Sequence, residues 1–113
     1  MYAKTLIKES PSMSHFPKKL RDLPRFDGPF EAHKLSTEGC DVLFASYPAG
    51  TNLEPHTHNT HNVGVITQGE MIITMNGVER RYGVGEWYEI PAEAVHAART
   101  EVDTSEIEFW FRN

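Results

Sequence analysis

The sequence predicts an all-β domain, a sandwich or barrel of short antiparallel strands, on three observations. Past Cys40, apolar and aromatic residues fall in short runs separated by turn residues. Asn76-Gly77 stands between two of these runs, and Asn-Gly there is the strongest short hairpin signal because both residues accept positive φ. No stretch past residue 40 keeps an amphipathic helical period over ten or more residues.

Taken in order, Asp41–Tyr47 is the first run, ending before Pro48-Ala49-Gly50. Asn62–Thr67 follows, with Val63, Val65 and Ile66, and closes at Gln68-Gly69. Met71–Met75 and Val78–Tyr82 flank the Asn-Gly turn, and Trp87–Ile90 is stopped by Pro91. Val95–Thr100 comes next. Ser105–Phe111 then alternates, with Ile107, Phe109 and Phe111 on one face and Glu106 and Glu108 on the other. Turn signals at this spacing, roughly every 8–12 residues, suit a sandwich or barrel.

The first third reads differently. Four of the seven prolines, Pro11, Pro17, Pro24 and Pro29, fall in residues 1–38. Proline removes a backbone donor and restrains the residue before it, so this segment is expected to be an irregular arm. The arm would pack on the domain of residues 39–113 or cross to a partner subunit. Charge divides at the same place. Residues 1–38 carry seven Lys or Arg against five acids, a net of +2, and residues 39–113 carry four Arg against eleven acids, a net of −7.

A length of 113 residues supports one hydrophobic core rather than two. The total charge of −5 argues against a nucleic-acid partner, which calls for surplus cations. No run approaches the roughly 20 apolar residues that span a bilayer, and Met1–Lys8 has no leader-like apolar core. Cys40 is alone and has no partner for an intrachain disulfide. The expectation is a cytoplasmic protein with no membrane partner. Phosphate-loop, dinucleotide and nucleophile-elbow motifs are absent.

The chemistry concentrates in Glu54-Pro-His56-Thr-His58-Asn-Thr-His61-Asn62 and in His96. Side chains alternate on an extended strand, so His56 and His58 share a face and two imidazoles can meet one ion. By the same parity His61 points away from His56, His58 and Asn62, unless Asn59-Thr60 resets the register. His15 and His33 lie in the arm and read as surface residues. Glu93 reads as a solvent-facing loop residue, and Cys40 as a small buried hydrophobe. Tyr88 and Gln68 could reach a substrate, and Trp87, Phe109, Trp110 and Phe111 read mostly as core.

The spacing around the histidines resembles the two motifs of the cupin superfamily. Gly50, His56, His58 and Gly69 match the first motif, whose glutamate position is Asn62 here. Gly85, Pro91 and His96 match the second, with Glu93 at its internal glycine and Thr100 at its final asparagine. The resemblance covers about residues 40–111. It implies a small double-stranded β-helix of the jelly-roll type, with one divalent transition metal (Zn, Ni, Fe, Mn or Cu) held by His56, His58 and His96. Asn62 would be a weak fourth ligand or would hold a metal-bound water. A neutral amide in place of carboxylate leaves the site one charge more positive and disfavours hard cations such as Mn²⁺ relative to Zn²⁺, Ni²⁺ or Cu²⁺.

Two functions follow from the resemblance: a metal-dependent enzyme acting on a small organic substrate, or a module that binds a small acid, phenol or sugar derivative without turnover. The first is favoured. A homodimer is expected, because an open sheet edge in a small barrel is a liability that proteins cover.

Overall fold

The computed structural model describes residues 14–112. Residues 1–13, the outer part of the expected arm, lie outside the described residues. Among the described residues, nine strands build two antiparallel sheets. The first has the order β1 (Glu31–Thr37), β2 (Cys40–Tyr47), β9 (Thr104–Phe111), β4 (His61–Gln68), β7 (Trp87–Ile90). The second has the order β3 (Asn52–His56), β8 (His96–Arg99), β5 (Glu70–Met75), β6 (Val78–Gly83). Among the described residues a single short helix, α1 (Lys18–Arg21), precedes them.

Each expected run is a strand, with ends moved by a residue or so. Asn76 and Gly77 take φ of 55° and 74°, as their hairpin between β5 and β6 requires. The sheets face one another over a core of Ala32, Ala45, Tyr47, Ile66 and Ile90 from the first and Met71 and Ile73 from the second. This is the expected jelly-roll sandwich.

The irregular segment is shorter than the expected arm of residues 1–38. Residues 31–37 form β1 and pair with β2 from Glu31↔Ser46 to Thr37↔Cys40. The sequence hides this strand because Glu-Ala-His-Lys-Leu-Ser-Thr alternates poorly and sits at a sheet edge, where burial makes little demand on residue type. Residues 14–30 do run irregularly over the barrel. Phe16 is buried against Phe44 at 5.6 Å, edge to face, and Phe26 and Phe30 reach the mouth of the barrel. His33, expected at the surface of the arm, belongs to β1. It is buried, and its Nδ1 lies 3.1 Å from the Leu23 carbonyl in the segment folded over it. No helix among the described residues is long and apolar enough to cross a membrane.

Candidate functional site

Three histidines meet at one end of the barrel because the second sheet pairs them. His56 and His96 are direct cross-strand partners of β3 and β8. The β3 register shifts between Leu53 and His56, where Pro55 sits, and an edge strand is where a missing N–H is tolerated. His58 lies just past β3, and its carbonyl accepts the Glu93 N–H at 2.7 Å, which ties its loop to the turn before β8. Glu93 occupies the family's glycine position and keeps glycine's conformation, with φ of 66°. Its side chain is exposed, so the turn tolerates it sterically while the backbone bears the left-handed strain.

The ring centroids of His56 and His96 are 4.3 Å apart, those of His56 and His58 4.9 Å, and those of His58 and His96 5.1 Å. One ligand nitrogen from each lies within 4.8 Å of the others. His56 Nδ1 donates to the Glu54 carbonyl at 2.6 Å and His96 Nδ1 to the Ala94 carbonyl at 3.0 Å. A carbonyl only accepts, so both rings carry their proton on Nδ1 and turn the Nε2 lone pair free, the tautomer a metal requires. Burial, reinforced by His56 and His96, lowers the His58 pKa to about 4. Burial also lowers His96, against the opposing bond to Ala94. Both shifts favour the neutral form of His58 and His96 at neutral pH. The three residues therefore fit a divalent ion, as the chemistry of their donors demands.

Asn62 is fully buried on the inner face of β4, level with Trp110 and Ile90. Its Oδ1 accepts the Thr60 hydroxyl at 2.6 Å, and its Nδ2 has no partner. Asn62 does not line the cavity beside the histidines, and the Thr60 bond leaves a second lone pair on its oxygen. His61 points outward as parity required, with Nε2 2.5 Å from Glu89 Oε2. Gln68 is exposed and accepts a bond from Ser105 at 3.1 Å, away from the cavity.

A cavity of about 450 Å³ opens at the histidines, within the size range of small-molecule sites. One wall is apolar, from Phe26, Phe30, Leu53, Met71, Ile73 and Ile90. The other holds two glutamates that the sequence reading did not single out. Glu106 and Glu108 stand on the inner face of β9, the central strand of the first sheet, with exposures of 1% and 9%. The alternation expected of β9 is there, but its charged face turns in and its apolar face turns out.

These acids are joined by tyrosines. Tyr47 donates to Glu106 Oε2 at 2.7 Å. The Tyr88 hydroxyl contacts Glu106 Oε1 and lies 2.9 Å from Glu108 Oε2. Three oxygen–oxygen contacts thus face two phenolic hydrogens, an arrangement that a proton on one carboxyl would complete. Electrostatics agree. Burial, then the charge of Glu108, pushes the Glu106 pKa up to about 8. Burial also raises Glu108, although the Trp110 indole and the Tyr88 hydroxyl pull it down; the indole does not close a regular hydrogen bond. Burial and the same acids hold both phenols well above their usual range, so they stay protonated.

Gly64 makes this network possible. It lies between Tyr88 and Glu108 in the register, and a Cβ there would come within 2.4 Å of the Tyr88 ring. Only a bare backbone lets the phenol cross β4 to reach the acids. A glycine in the middle of a Val-Gly-Val strand is the signal that would have exposed the arrangement in advance.

The comparisons with known proteins agree with this geometry. The cupin domain model matches residues 43–110. The H2HPP isomerase of Bacillus subtilis is 36% identical over 64 residues, which cover 56% of this chain and 27% of that protein. The chain thus spans about a quarter of that relative. Among solved structures, an RmlC-like cupin from Shewanella frigidimarina superposes with a TM-score of 0.74 at 15% identity, covering 91% of this chain and 93% of that one. A point mutant of the salicylate 1,2-dioxygenase of Pseudoaminobacter salicylatoxidans gives 0.67 at 15% identity over 74% of this chain and 26% of its own. At these identities the structures speak for the fold alone. On the family model, the two facing sheets and the histidines its motifs led one to expect, the chain belongs to the cupin family.

Proposed function

We propose that this cupin is a metal-dependent enzyme that moves a proton on a small organic substrate, in the manner of an isomerase or lyase. The observation that carries this reading is the buried, hydrogen-bonded Glu106–Tyr88–Glu108 network in the same cavity as the histidine cluster. A buried acid pair with a raised pKa can exchange a proton near neutral pH, as general acid–base chemistry needs. The relationship to an isomerase over 64 residues supports the same class of reaction.

His56, His58 and His96 would hold the ion. A divalent ion there supplies Lewis acidity, polarising a substrate oxygen and acidifying the adjacent C–H. Glu108 is the more exposed acid and is placed to take or return the proton. Tyr88 connects it to Glu106, so the charge left on either carboxylate is shared. The apolar wall keeps bulk water from competing.

Deuterium exchange tests the proposal. The metal-loaded protein, incubated in D₂O with a panel of small ketones and 2-oxo acids, should catalyse C–H exchange visible by NMR. Glu108→Gln should slow that exchange by roughly 10²-fold or more while leaving metal content unchanged. Exchange insensitive to Glu108→Gln contradicts the assignment. Metal and ligand binding without any exchange would favour a binding module instead.

A further inference from the structure

We propose that the cavity selects an uncharged or cationic organic ligand, seating its hydroxyl or ammonium end on Glu108, backed by Glu106, and rejecting a carboxylate at that end. This rests on the reading of the cavity as a substrate site and holds whether or not turnover follows.

The lining carries the inference. Four acids border the cavity, Asp27 and Glu54 on its exposed rim and Glu106 and Glu108 inside, and no lysine or arginine does so among the described residues. The cations nearby in sequence or register are used elsewhere. Arg112 binds Asp41 at 2.8 Å, Arg99 binds Glu79 at 2.6 Å, and Arg81 binds Glu70 at 2.8 Å. Lys34 lies over the Phe26 ring, 5.6 Å from its centroid, with Asp41 3.9 Å away. Phe26 thus stands between that charge and the cavity. With one proton shared between them, Glu106 and Glu108 still carry a net negative charge. A ligand carboxylate placed there would meet like charge in an apolar surround with no lysine or arginine to offset it.

A donor meets the opposite situation. Glu108 faces the cavity, while both Glu106 oxygens are already engaged by phenols. Glu108 is therefore the acid that contacts the ligand, and Glu106 fixes the charge and proton count behind it. An ammonium would form a charge-assisted bond, and a hydroxyl a neutral one. The apolar residues opposite, Phe30, Met71 and Ile73, suit a flat or cyclic hydrocarbon body spanning the two ends.

Calorimetric titration of metal-free protein with benzylamine, benzyl alcohol and benzoate tests this, since the three share one ring and differ at one end. Removing the metal removes the other place where a carboxylate could bind, so the result is independent of any failure of the enzymatic reading. Benzylamine should bind at least about tenfold more tightly than benzoate, with benzyl alcohol between them. Glu108→Gln, which keeps the side-chain shape, should bring the amine-to-carboxylate ratio close to one, and Glu106→Gln serves as the second variant. Equal or tighter binding of benzoate by the wild-type protein overturns the proposal, as does the absence of amine binding at millimolar concentration. The wild-type comparison decides even if neither variant folds.

Discussion

Gly64 and Glu93 are single positions at which backbone geometry governs the site. Adding a methyl at Gly64 places it inside the Tyr88 ring, in a strand paired on both sides. Gly64→Ala is therefore expected to cost about 1–3 kcal/mol, as overpacked cores do, despite the better strand propensity of alanine. Denaturant unfolding checks this, and an unchanged midpoint would mean that Tyr88 has room to move. Glu93 has the opposite sign. It holds φ of 66° without glycine's freedom, so Glu93→Gly should stabilise the fold by roughly 0.5–1 kcal/mol, the left-handed penalty less the added unfolded-state entropy. A loss of stability on that change would contradict the strain.

Glu106 gives the residue scale a pH signature. Its pKa is raised from 4.5 to about 8 by burial and by Glu108, so across that window the folded state holds more protons than the unfolded chain. Stability from this group is complete below the lower value and is lost as pH rises through the higher one. His58 acts in the other direction but only below its ordinary 6.5, since its lowered pKa of about 4 makes the unfolded chain the greater proton binder there. Between about 6.5 and about 8 the glutamate should dominate. Stability should fall by up to about 1.4 kcal/mol per pH unit there, and Glu106→Gln should flatten the slope. Equal slopes in the two proteins would place the proton elsewhere.

At the scale of elements, strand positions were legible wherever β-branched and aromatic residues ran between turns, as in β2, β4, β5 and β7. The histidine cluster was legible through spacing, because strand parity and the glycine frame fix which rings can meet. Two things were not. Strand β1 lies at an edge and alternates poorly, with Ala32 and His33 its buried side chains. In β9, alternation separates two faces without saying which one is inside. Ile107, Phe109 and Phe111 resemble a core face more than Glu106 and Glu108 do, and the reversal is tolerated only because Tyr47 and Tyr88 satisfy the acids.

That reversal shapes the whole molecule. The outer face of the first sheet carries Val63, Val65, Ile107 and Phe109, with Trp87 and Phe111 exposed beside them. Residues 14–25 lie on the neighbouring β1–β2 part of this sheet, through contacts such as Phe16 on Phe44 and Leu23 on His33. The homodimer expected from the sequence would bury the remainder. Light scattering at micromolar concentration should then give twice the chain mass, and Phe109→Glu should return it to one. A wild-type monomer would contradict the dimer.

The reading of this molecule as a metal-dependent catalyst turns on whether the three histidines hold an ion. Elemental analysis of the untagged protein, set beside the His56→Ala, His58→Ala, His96→Ala triple variant, decides this most directly. One divalent ion per chain is expected in the parent and none in a folded variant, as three imidazoles with ligand nitrogens within 4.8 Å of one another predict. A parent that stays empty after refilling with zinc, nickel, iron, manganese and copper would contradict it and leave the acid pair to act alone.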